Sequence, residues 1–329
     1  MTTVGSDKRQ WLSGNEALAR AAWEAGVTVA SAYPGTPSTE ILENLCKYEG
    51  VYTEWAPNEK VSLEVGMGAS FAGARVLVTM KHVGLNVAAD PLFTASYTGV
   101  RGGIVIINAD DPEMHSSQNE QDNRNYAFAA KLPMLEPSDP AEALEMLKKA
   151  FALSEEFDTP VLLRTTTRVA HVKGLVTVGE RKMGPVPVEI EKIPAKFVML
   201  PANARARRKA IAERQNKLAA WVETSDCNRI EWGSKKLGVI TGGVSYLYVK
   251  EALPEASVLK IGTTWPLPFN MIRDFASQVD EVLIVEELDP FLETHIKAAG
   301  VACTGKAKIP AIGELNPFLI KKALGIATG

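Results

Sequence analysis

The sequence predicts an α/β protein built from two doubly wound, mostly parallel sheets. Apolar, strand-like segments alternate with helical patterns from about residue 12 to residue 170, as in parallel sheets that carry helices on both faces. One segment, residues 103–108, is almost entirely apolar, which is typical of a strand buried on both faces. The alternation stops near residue 170 and resumes near residue 236, so we expect two domains.

A change of character between residues 168 and 234 sets the expected domain boundaries. Residues 175–195 are rich in Pro, Gly, Val and charge, and residues 202–223 have the pattern of a charged helix. We therefore expect a first domain over residues 1–175 and a linker with a charged helix over residues 176–234. A second, smaller domain is expected over residues 235–329.

In the first domain, turn and cap residues separate the elements. Gly26 closes a helix over residues 17–26, and Asp139 followed by Pro140 opens a helix over residues 140–153. Residues 81–86 are expected to form a loop. Further helices are expected at residues 38–48, 58–75 and 90–97, and strands at residues 27–33, 51–55, 76–80, 103–108 and 160–165.

The second domain has the same alternation over a shorter length. Strands are expected at residues 236–241, 257–262, 281–286 and 301–303. Gly242 and Gly243 follow the first of them, where two glycines can cradle a phosphate, although a plain strand-to-helix turn explains them more simply. Glu286 and Glu287 stand at a strand end, but two adjacent acids are weak grounds for a catalytic pair.

Bulk composition excludes several classes of protein. The 329 residues carry a formal net charge of -3, and 46% of them are hydrophobic. There is no long run of one charge sign, and the basic run at residues 205–209 fits a solvated helix face, so we expect no nucleic-acid partner. No apolar run approaches the roughly 18 residues of a membrane span, and residues 1–10 lack an apolar signal core. We expect a cytoplasmic location and no membrane partner.

The cysteines and histidines predict no metal site within the chain. Cys46, Cys227 and Cys303 are far apart, and none of the four histidines has HxH or HxxxH spacing. Iron–sulfur clusters and structural zinc sites both need clustered ligands.

The helical segment that begins at Glu59 is unusual. It contains Gly66, Gly68 and Gly73, although a glycine costs a helix about 1 kcal/mol relative to alanine. The spacing is not that of a dinucleotide-binding turn, and close packing is the usual compensation. Glu59 is either a solvated acid at a helix start or an acid that faces a flat heteroaromatic ligand.

Two further positions point to the edge of the sheet where the strands end. Thr36 lies between Pro34 and Pro37 in the turn after a strand, where it either contacts an anionic ligand or, like Ser38, merely caps the next helix. Arg124 ends a long polar loop over residues 110–124. A guanidinium group there either grips a substrate carboxylate or makes ordinary ion pairs.

Three strings together resemble one enzyme family. They are AYPGTPS at residues 32–38, NEK at residues 58–60 with the Gly/Ala-rich helix behind it, and MKHVGLN at residues 80–86. The chain is similar to the thiamine-diphosphate-dependent 2-oxoacid:ferredoxin oxidoreductases, most of all to the N-terminal part of the indolepyruvate type's α subunit. The resemblance is strong over about residues 12–170. It implies a pyrimidine-binding domain followed by a transketolase C-terminal-like domain.

The resemblance also implies roles for individual residues. Glu59 matches the family's catalytic glutamate, which contacts a ring nitrogen of the cofactor's aminopyrimidine and promotes the tautomer that acts as a base. Thr36 and Arg124 match residues that bind the substrate carboxylate, although the loop before Arg124 is longer here. The string after the third strand implies cofactor contacts at Lys81, His82, Gly84 and Asn86.

The sequence departs from the family in what it lacks. It contains no Gly-Asp-Gly to hold magnesium and the cofactor's diphosphate, and Asp110-Asp111 lacks the neighbouring glycines. We therefore expect thiamine diphosphate to be shared with a diphosphate-binding domain or subunit, which is either a later part of a longer protein or a separate chain. Magnesium and iron–sulfur clusters are expected outside this chain. The other expected partners are a second copy in a homodimer, a second oxidoreductase subunit, ferredoxin and coenzyme A.

The expected function is that of an enzyme component. With its partner it would convert a 2-oxoacid, indolepyruvate or another arylpyruvate, to an acyl-CoA by oxidative decarboxylation, and it would be inactive alone. One alternative is an assembly or regulatory relative that has lost the chemistry. Another is a component of an enzyme with different thiamine chemistry, such as simple decarboxylation.

Overall fold

The structure of the chain is a computed structural model that describes residues 8–182, 184 and 190–327. The strands are β1 (Lys8–Ser13), β2 (Val29–Ala32), β3 (Tyr52–Trp55), β4 (Val76–Lys81), β5 (Ile104–Asp110), β6 (Met134–Leu135), β7 (Val161–Thr166), β8 (Lys173–Val178), β9 (Arg229–Glu231), β10 (Ser234–Gly242), β11 (Ala256–Ile261), β12 (Thr263–Trp265) and β13 (Glu281–Val285).

The helices alternate with these strands along both halves of the chain. They are α1 (Gly14–Glu24), α2 (Thr39–Leu45), α3 (Glu59–Phe71), α4 (His82–Val87), α5 (Ala89–Thr98), α6 (Arg124–Ala130), α7 (Pro140–Glu156), α8 (Thr167–His171), α9 (Pro194–Phe197), α10 (Pro201–Val222), α11 (Ser245–Ala252), α12 (Phe269–Ala276), α13 (Phe291–Ala298) and α14 (Pro317–Ala323).

The larger sheet forms the first domain. Within the described residues its strand order is β12-β6-β7-β5-β4-β2-β3, and every neighbouring pair is parallel except β12 with β6. All residues of β5 are buried, as the apolar run predicts. Helices α1, α2 and α7 pack on one face, and α3, α4, α5 and α6 pack on the other. The predicted doubly wound fold is confirmed.

The smaller sheet has the order β13-β10-β11-β9. β10 pairs in parallel with β11 and β13, and β9 adds an antiparallel edge. Helices α11 and α14 pack on one face, and α12 and α13 pack on the other. A second α/β domain is thus confirmed.

One strand from the second half of the chain belongs to the larger sheet. β12 follows β11 in the chain, yet it pairs with β6 in the larger sheet, with Thr263 opposite Leu135 and Trp265 opposite Met134. The chain therefore crosses from the second domain back to the edge of the first, and backbone pairing links the two.

The structure corrects two sequence-based expectations and adds one pair of strands. Residues 81–86 are not a loop, because α4 begins at His82 directly after β4. Residues 301–303 do not form a strand, since pairing there is limited to one bridge between Leu283 and Thr304. The antiparallel pair β1–β8, which joins residues far apart in sequence, was not predicted.

The charged helix α10 lies against the first domain. Arg207 donates to the carbonyl oxygen of Tyr97 and pairs with Asp158, and Arg214 donates to the carbonyl oxygen of Ser96. Part of the basic run is therefore bound to the protein rather than solvated. α10 is long but strongly charged, and none of the described helices combines the length and apolar character needed to cross a bilayer.

Candidate functional site

The segments that follow the parallel strands of the larger sheet meet at one edge. The turn at residues 33–38 follows β2, α3 follows β3, α4 follows β4, and a polar loop at residues 111–123 follows β5. α8 follows β7 at the same edge. Because the carboxyl ends of parallel strands lie together, the residues predicted from separate strings are gathered at one side of the domain.

Glu59 is the first residue of α3 and is only 7% exposed. The Asn58 side chain caps this helix by accepting a hydrogen bond from the Val61 N–H at 3.0 Å. Gly84 in α4 lies directly against Glu59, because a β-carbon built on Gly84 would be 2.5 Å from Glu59 Oε1. The predicted catalytic acid and one predicted cofactor residue are therefore in contact.

Thr36 lies exposed in the turn after β2, before a cis peptide bond to Pro37. Its carbonyl oxygen accepts a hydrogen bond from Ser116 Oγ at 3.3 Å. Lys81 donates from Nζ to the Ser116 carbonyl oxygen at 3.1 Å, and its aliphatic stem covers Gly35. Thr36 and Lys81 are therefore linked through Ser116.

The hydroxyl groups next to Thr36 do not cap α2. Ser38 occupies the N-cap position, but its Oγ donates to the Gly35 carbonyl oxygen at 2.9 Å and accepts no hydrogen bond from the helix. The interpretation of Thr36 or Ser38 as a simple helix cap is therefore wrong.

A cavity of about 460 Å³ opens beside Thr36. Arg168 pairs with Glu314 of the second domain, and His115 Nε2 lies 3.7 Å from the same carboxylate. The cavity therefore lies between the two domains at the carboxyl edge of the larger sheet. Its walls include Thr36, His115, Ser116, Thr167, Arg168 and Glu314.

His82 and Asn86 fix neighbouring segments. His82 is buried, its Nε2 is 3.0 Å from the carbonyl oxygen of Asn119, and burial lowers the pKa of its imidazole. Asn86 is exposed and accepts a hydrogen bond from the Tyr126 hydroxyl at 2.6 Å. A neutral His82 thus anchors the polar loop to the start of α4, while Asn86 faces outward at its end.

Arg124 is buried at the junction of the domains. Its guanidinium group pairs with Asp122 and, at 2.7 Å, with Glu286 of the second domain. It also donates to the carbonyl oxygens of Glu287 and Asp289. Although burial lowers the pKa of Arg124, the carboxylates hold it well above its usual value. In this conformation Arg124 joins the domains, and its contact with a substrate carboxylate stays a prediction.

Glu136 fills the glycine turn that follows β10. Its carboxylate pairs with Arg164 and accepts a hydrogen bond from Thr264 Oγ1 at 2.8 Å. A β-carbon built on Gly243 would lie 2.5 Å from Glu136 Oε1. The turn therefore receives a carboxylate from the first domain, and the interpretation of Gly242 and Gly243 as a phosphate cradle is wrong for this structure.

Glu286 and Glu287 accept hydrogen bonds from backbone N–H groups of the second domain. Glu286 accepts hydrogen bonds from the N–H groups of Leu292 and Glu293 at 2.9 and 3.0 Å, at the start of α13. Glu287 accepts one from the Leu315 N–H at 3.1 Å, and burial raises its pKa to about 7. Their contacts are structural and give no support to a catalytic pair.

One group of side chains has the donor types of a metal site. Ligand atoms of Glu113, His115 and Glu314 lie within 4.8 Å of one another. The Glu314 carboxylate is already bound by Arg168, which competes with a cation for the same oxygens.

Sequence reasoning did not identify Ser116 or Arg168 as part of this edge. Both are ordinary surface residue types in segments with no family motif, so only the fold brings them to Thr36. The available signal was weak: a hydroxyl-rich polar loop directly after a buried strand.

Comparison with known families agrees with the two-domain fold. Residues 20–216 match the family model described as pyruvate flavodoxin/ferredoxin oxidoreductase, thiamine diphosphate-binding. The chain belongs to this family. Residues 229–312 match an indolepyruvate oxidoreductase domain. The resemblance drawn from the three strings is thereby confirmed.

Curated relatives support the same family. The chain is 46% identical to the indolepyruvate oxidoreductase subunit IorA of Methanothermobacter marburgensis, over 99% of this chain and 56% of the relative. It is 47% identical to the IorA subunit of Archaeoglobus fulgidus, over 97% of this chain and 54% of the relative. The 2-oxoglutarate synthase subunit KorA of M. marburgensis is 25% identical, over 89% and 92% of the two chains. The chain thus spans about half the length of these IorA relatives.

Solved structures show the same fold. A 2-oxoglutarate:ferredoxin oxidoreductase from Magnetococcus marinus, solved with 2-oxoglutarate, coenzyme A and succinyl-CoA, aligns with a TM-score of 0.82 at 17% identity, over 96% of this chain and 65% of that chain. A split-gene transketolase aligns with a TM-score of 0.59 at 13% identity, over 97% and 100% of the two chains.

The residues around Glu59 fit the pyrimidine end of thiamine diphosphate. An aminopyrimidine needs a carboxyl group beside one ring nitrogen, and Glu59 supplies a nearly buried one at the ligand-binding edge of the sheet. The diphosphate end needs magnesium and its ligands, and the sequence has no Gly-Asp-Gly to provide them.

Proposed function

We propose that this chain supplies the aminopyrimidine side of the cofactor site in a thiamine-diphosphate-dependent 2-oxoacid:ferredoxin oxidoreductase. The contact between Glu59 and Gly84 carries the proposal. It holds a nearly buried carboxyl group at the start of α3, in the space that the missing side chain of Gly84 leaves in α4. Such a carboxyl group is matched to a planar heteroaromatic ring.

The residues of the chain have separate tasks in this proposal. When bound, thiamine diphosphate supplies the carbon centre that attacks the 2-oxo group and stabilises the charge left by decarboxylation. Glu59 holds a proton at the pyrimidine ring nitrogen and so favours the basic tautomer of the ring's amino group. Thr36 binds the substrate carboxylate through its exposed hydroxyl. Lys81 and His82 fix the loop beside it, and Asn86 contacts the cofactor at the end of α4.

The surface around Glu59 supports a partner domain that completes the site. Tyr33, Trp55, Val87 and Phe93 are exposed on segments at or near this edge. Exposed large apolar side chains suit a surface that binds another protein. We assign this surface to a diphosphate- and magnesium-binding domain or subunit, within an assembly that also contains a second copy of the chain, a second oxidoreductase subunit and the iron–sulfur clusters. Ferredoxin accepts the electrons, coenzyme A accepts the acyl group, and the assembly is cytoplasmic.

An arylpyruvate such as indolepyruvate is the proposed substrate. The support is the match of residues 229–312 to an indolepyruvate oxidoreductase domain and the names of the relatives above 40% identity. The domain limits proposed for this function are residues 1–175 and 235–329, with residues 176–234 between them. Arg124 is retained as a candidate for the substrate carboxylate, provided that the assembled enzyme frees it from Asp122 and Glu286.

Substitution of Glu59 in the assembled enzyme tests the proposal. We expect Glu59→Gln to lower kcat by about 100-fold or more, the usual effect of losing an acid–base group, and to weaken thiamine diphosphate binding. Glu64→Gln is the matched control, because Glu64 is an exposed acid of the same helix and should react at the wild-type rate. A Glu59→Gln enzyme as fast as wild type would overturn the proposed role of Glu59, whereas an assembly with no turnover at all would support the non-catalytic alternative. Turnover independent of coenzyme A would support a different thiamine chemistry.

A further inference from the structure

Asp110 ends β5 and Asp111 follows it directly, but the two side chains contact different parts of the structure. Asp110 faces the buried interior, where it pairs with Arg164 at 2.6 Å. Asp111 is also buried, at 1% exposure, but its carboxylate is directed into the polar loop that follows. The absence of adjacent glycines ruled out a diphosphate motif here, and the structure gives Asp111 another role.

The Asp111 carboxylate organises the start of the loop. Oδ1 accepts hydrogen bonds from the His115 N–H at 3.2 Å and from Thr167 Oγ1 at 2.7 Å. Oδ2 accepts from the Ser116 N–H at 2.9 Å and from Ser117 Oγ at 2.6 Å. One side chain thus fixes three consecutive loop residues and ties them to the first residue of α8.

One of the residues fixed by Asp111, Ser116, contacts the turn at Thr36. Ser116 Oγ lies 3.3 Å from the Thr36 carbonyl oxygen, and the Ser116 carbonyl oxygen receives the Lys81 ammonium group at 3.1 Å. Thr36, His115, Ser116 and Thr167 all line the same cavity. Asp111 therefore holds together a loop that contacts the Thr36 turn and lines the same cavity.

The charge state of Asp111 suits this role. Burial raises its pKa, but the hydrogen bonds from Ser117, Thr167, Ser116 and His115 outweigh burial and hold the pKa below its usual value. The group is therefore an ionised acceptor throughout the neutral pH range, and ionised acceptors form the stronger hydrogen bonds.

We propose that Asp111 is a positioning residue for the 2-oxoacid, which it aligns by fixing Ser116 against the Thr36 turn. The inference rests on the proposed role of Thr36 in binding the substrate carboxylate. Asp111 does not touch the substrate. Loss of its carboxylate releases the loop, so the backbone of the turn that carries the Thr36 hydroxyl loses its contact with Ser116.

A double-mutant cycle on the assembled enzyme tests the inference. We expect Asp111→Ala to raise KM for the 2-oxoacid by about tenfold and to change kcat less, because misplacing a binding group by about 1 Å is costly. Thr36→Val should also raise KM. The double variant should be no worse than Thr36→Val alone, because both changes disable the same contact.

Two variants separate positioning from general damage to the fold. Ser116→Ala removes an exposed hydroxyl, leaves Asp111 in place, and should raise KM by a smaller factor in the same direction. Glu120→Ala removes a carboxylate that accepts a hydrogen bond from the Glu113 N–H in the same loop but does not contact Asp111 in the hydrogen bonds described, and it should keep the wild-type KM.

The outcomes distinguish this inference from the proposed function. If Thr36→Val leaves KM unchanged, the role of Thr36 is wrong and the positioning role of Asp111 falls with it. If Thr36→Val raises KM but Asp111→Ala and Ser116→Ala do not, only the positioning role is overturned. Multiplicative effects of Asp111→Ala and Thr36→Val would also overturn it, because they would show independent action.

Discussion

At Gly84, the space that a side chain would need is taken by Glu59. The sequence marks both residues, which are 25 positions apart, through two family strings, but it does not show that they touch. The contact explains why a glycine is used inside α4 despite its cost to a helix. Gly68 in α3 is different, because a β-carbon built there would meet nothing within 4 Å.

These two glycines give a matched pair of alanine substitutions. Gly84→Ala should displace the Glu59 side chain, weaken thiamine diphosphate binding in the assembled enzyme by about tenfold or more, and cost the chain about 1–3 kcal/mol of unfolding free energy through overpacking. Gly68→Ala should increase the unfolding free energy, by at most about 1 kcal/mol. Cofactor titration and denaturant unfolding measure the two effects. Unchanged cofactor affinity in Gly84→Ala would contradict the contact.

At the scale of elements, α3 is predictable and α4 is not. α3 has a capping asparagine, Asn58, followed by a long apolar pattern. α4 has six residues, includes Gly84 and Asn86, and has no side-chain cap. Short helices gain most of their stability from tertiary packing, so the sequence string alone favours a loop. Packing of Leu85 into the core beneath β4 decides the outcome.

The cap of α3 should affect both the stability of the helix and the cofactor affinity of the site. Asn58→Ala removes the acceptor for the Val61 N–H and should cost about 1 kcal/mol of unfolding free energy. Asn316→Ala removes an equivalent cap from α14, where Asn316 accepts from the Leu319 N–H, and should cost a similar amount. Cofactor affinity should fall in the assembled enzyme for Asn58→Ala alone. Equal cofactor affinities of the two variants would show that the cap does not orient Glu59.

At the scale of the whole molecule, buried charged residues and strand β12 hold the domains together. Arg124 reaches Glu286 across 162 residues of sequence, and Glu136 reaches Thr264 across 128. β12 adds backbone pairing between the same two parts of the chain. The proposed site lies at the edge of this junction, so the domain arrangement fixes one wall of the cavity beside Thr36.

Two interdomain arginines should differ sharply in their effect on stability. Arg124→Met leaves Asp122 and Glu286 buried without their cation and should cost about 3–5 kcal/mol of unfolding free energy. Arg168→Met breaks an exposed pair with Glu314 across the same junction and should cost no more than about 1 kcal/mol. Denaturant unfolding of the chain measures both. Comparable losses would mean that the buried pairs do not stabilise the junction.

The same buried cluster should make stability depend on pH through Asp110. Burial raises the pKa of Asp110 to about 7 against the opposing effect of Arg164, so the folded chain keeps a proton that the unfolded chain releases near pH 4. Ionisation of Asp110 therefore lowers the unfolding free energy as the pH rises from about 4 to about 7. The unfolding free energy of Asp110→Asn, relative to wild type, should increase over that range.

Asp111→Asn is the control for this pH dependence. Its hydrogen bonds outweigh burial and lower the pKa of Asp111, so the stability it contributes is present above its unfolded pKa and is lost only as the pH falls below about 4. Its stability difference from wild type should stay constant between about pH 5 and 8. Parallel curves for Asp110→Asn and Asp111→Asn would show that the two carboxyl groups are not held in opposite environments.

The sequence by itself determined the fold class, the order of most strands and helices, and the family. Strand and helix periodicity is local, and the family strings at Thr36, Glu59 and Lys81 are contiguous, so both can be read without coordinates. The tertiary structure alone decided which side chains meet: Gly84 with Glu59, Ser116 with Thr36, and Arg124 with Glu286. The physical reason is that contact and desolvation act between distant segments. Whether an arginine is exposed to solvent or buried in ion pairs with carboxylates depends on the domain that packs against it.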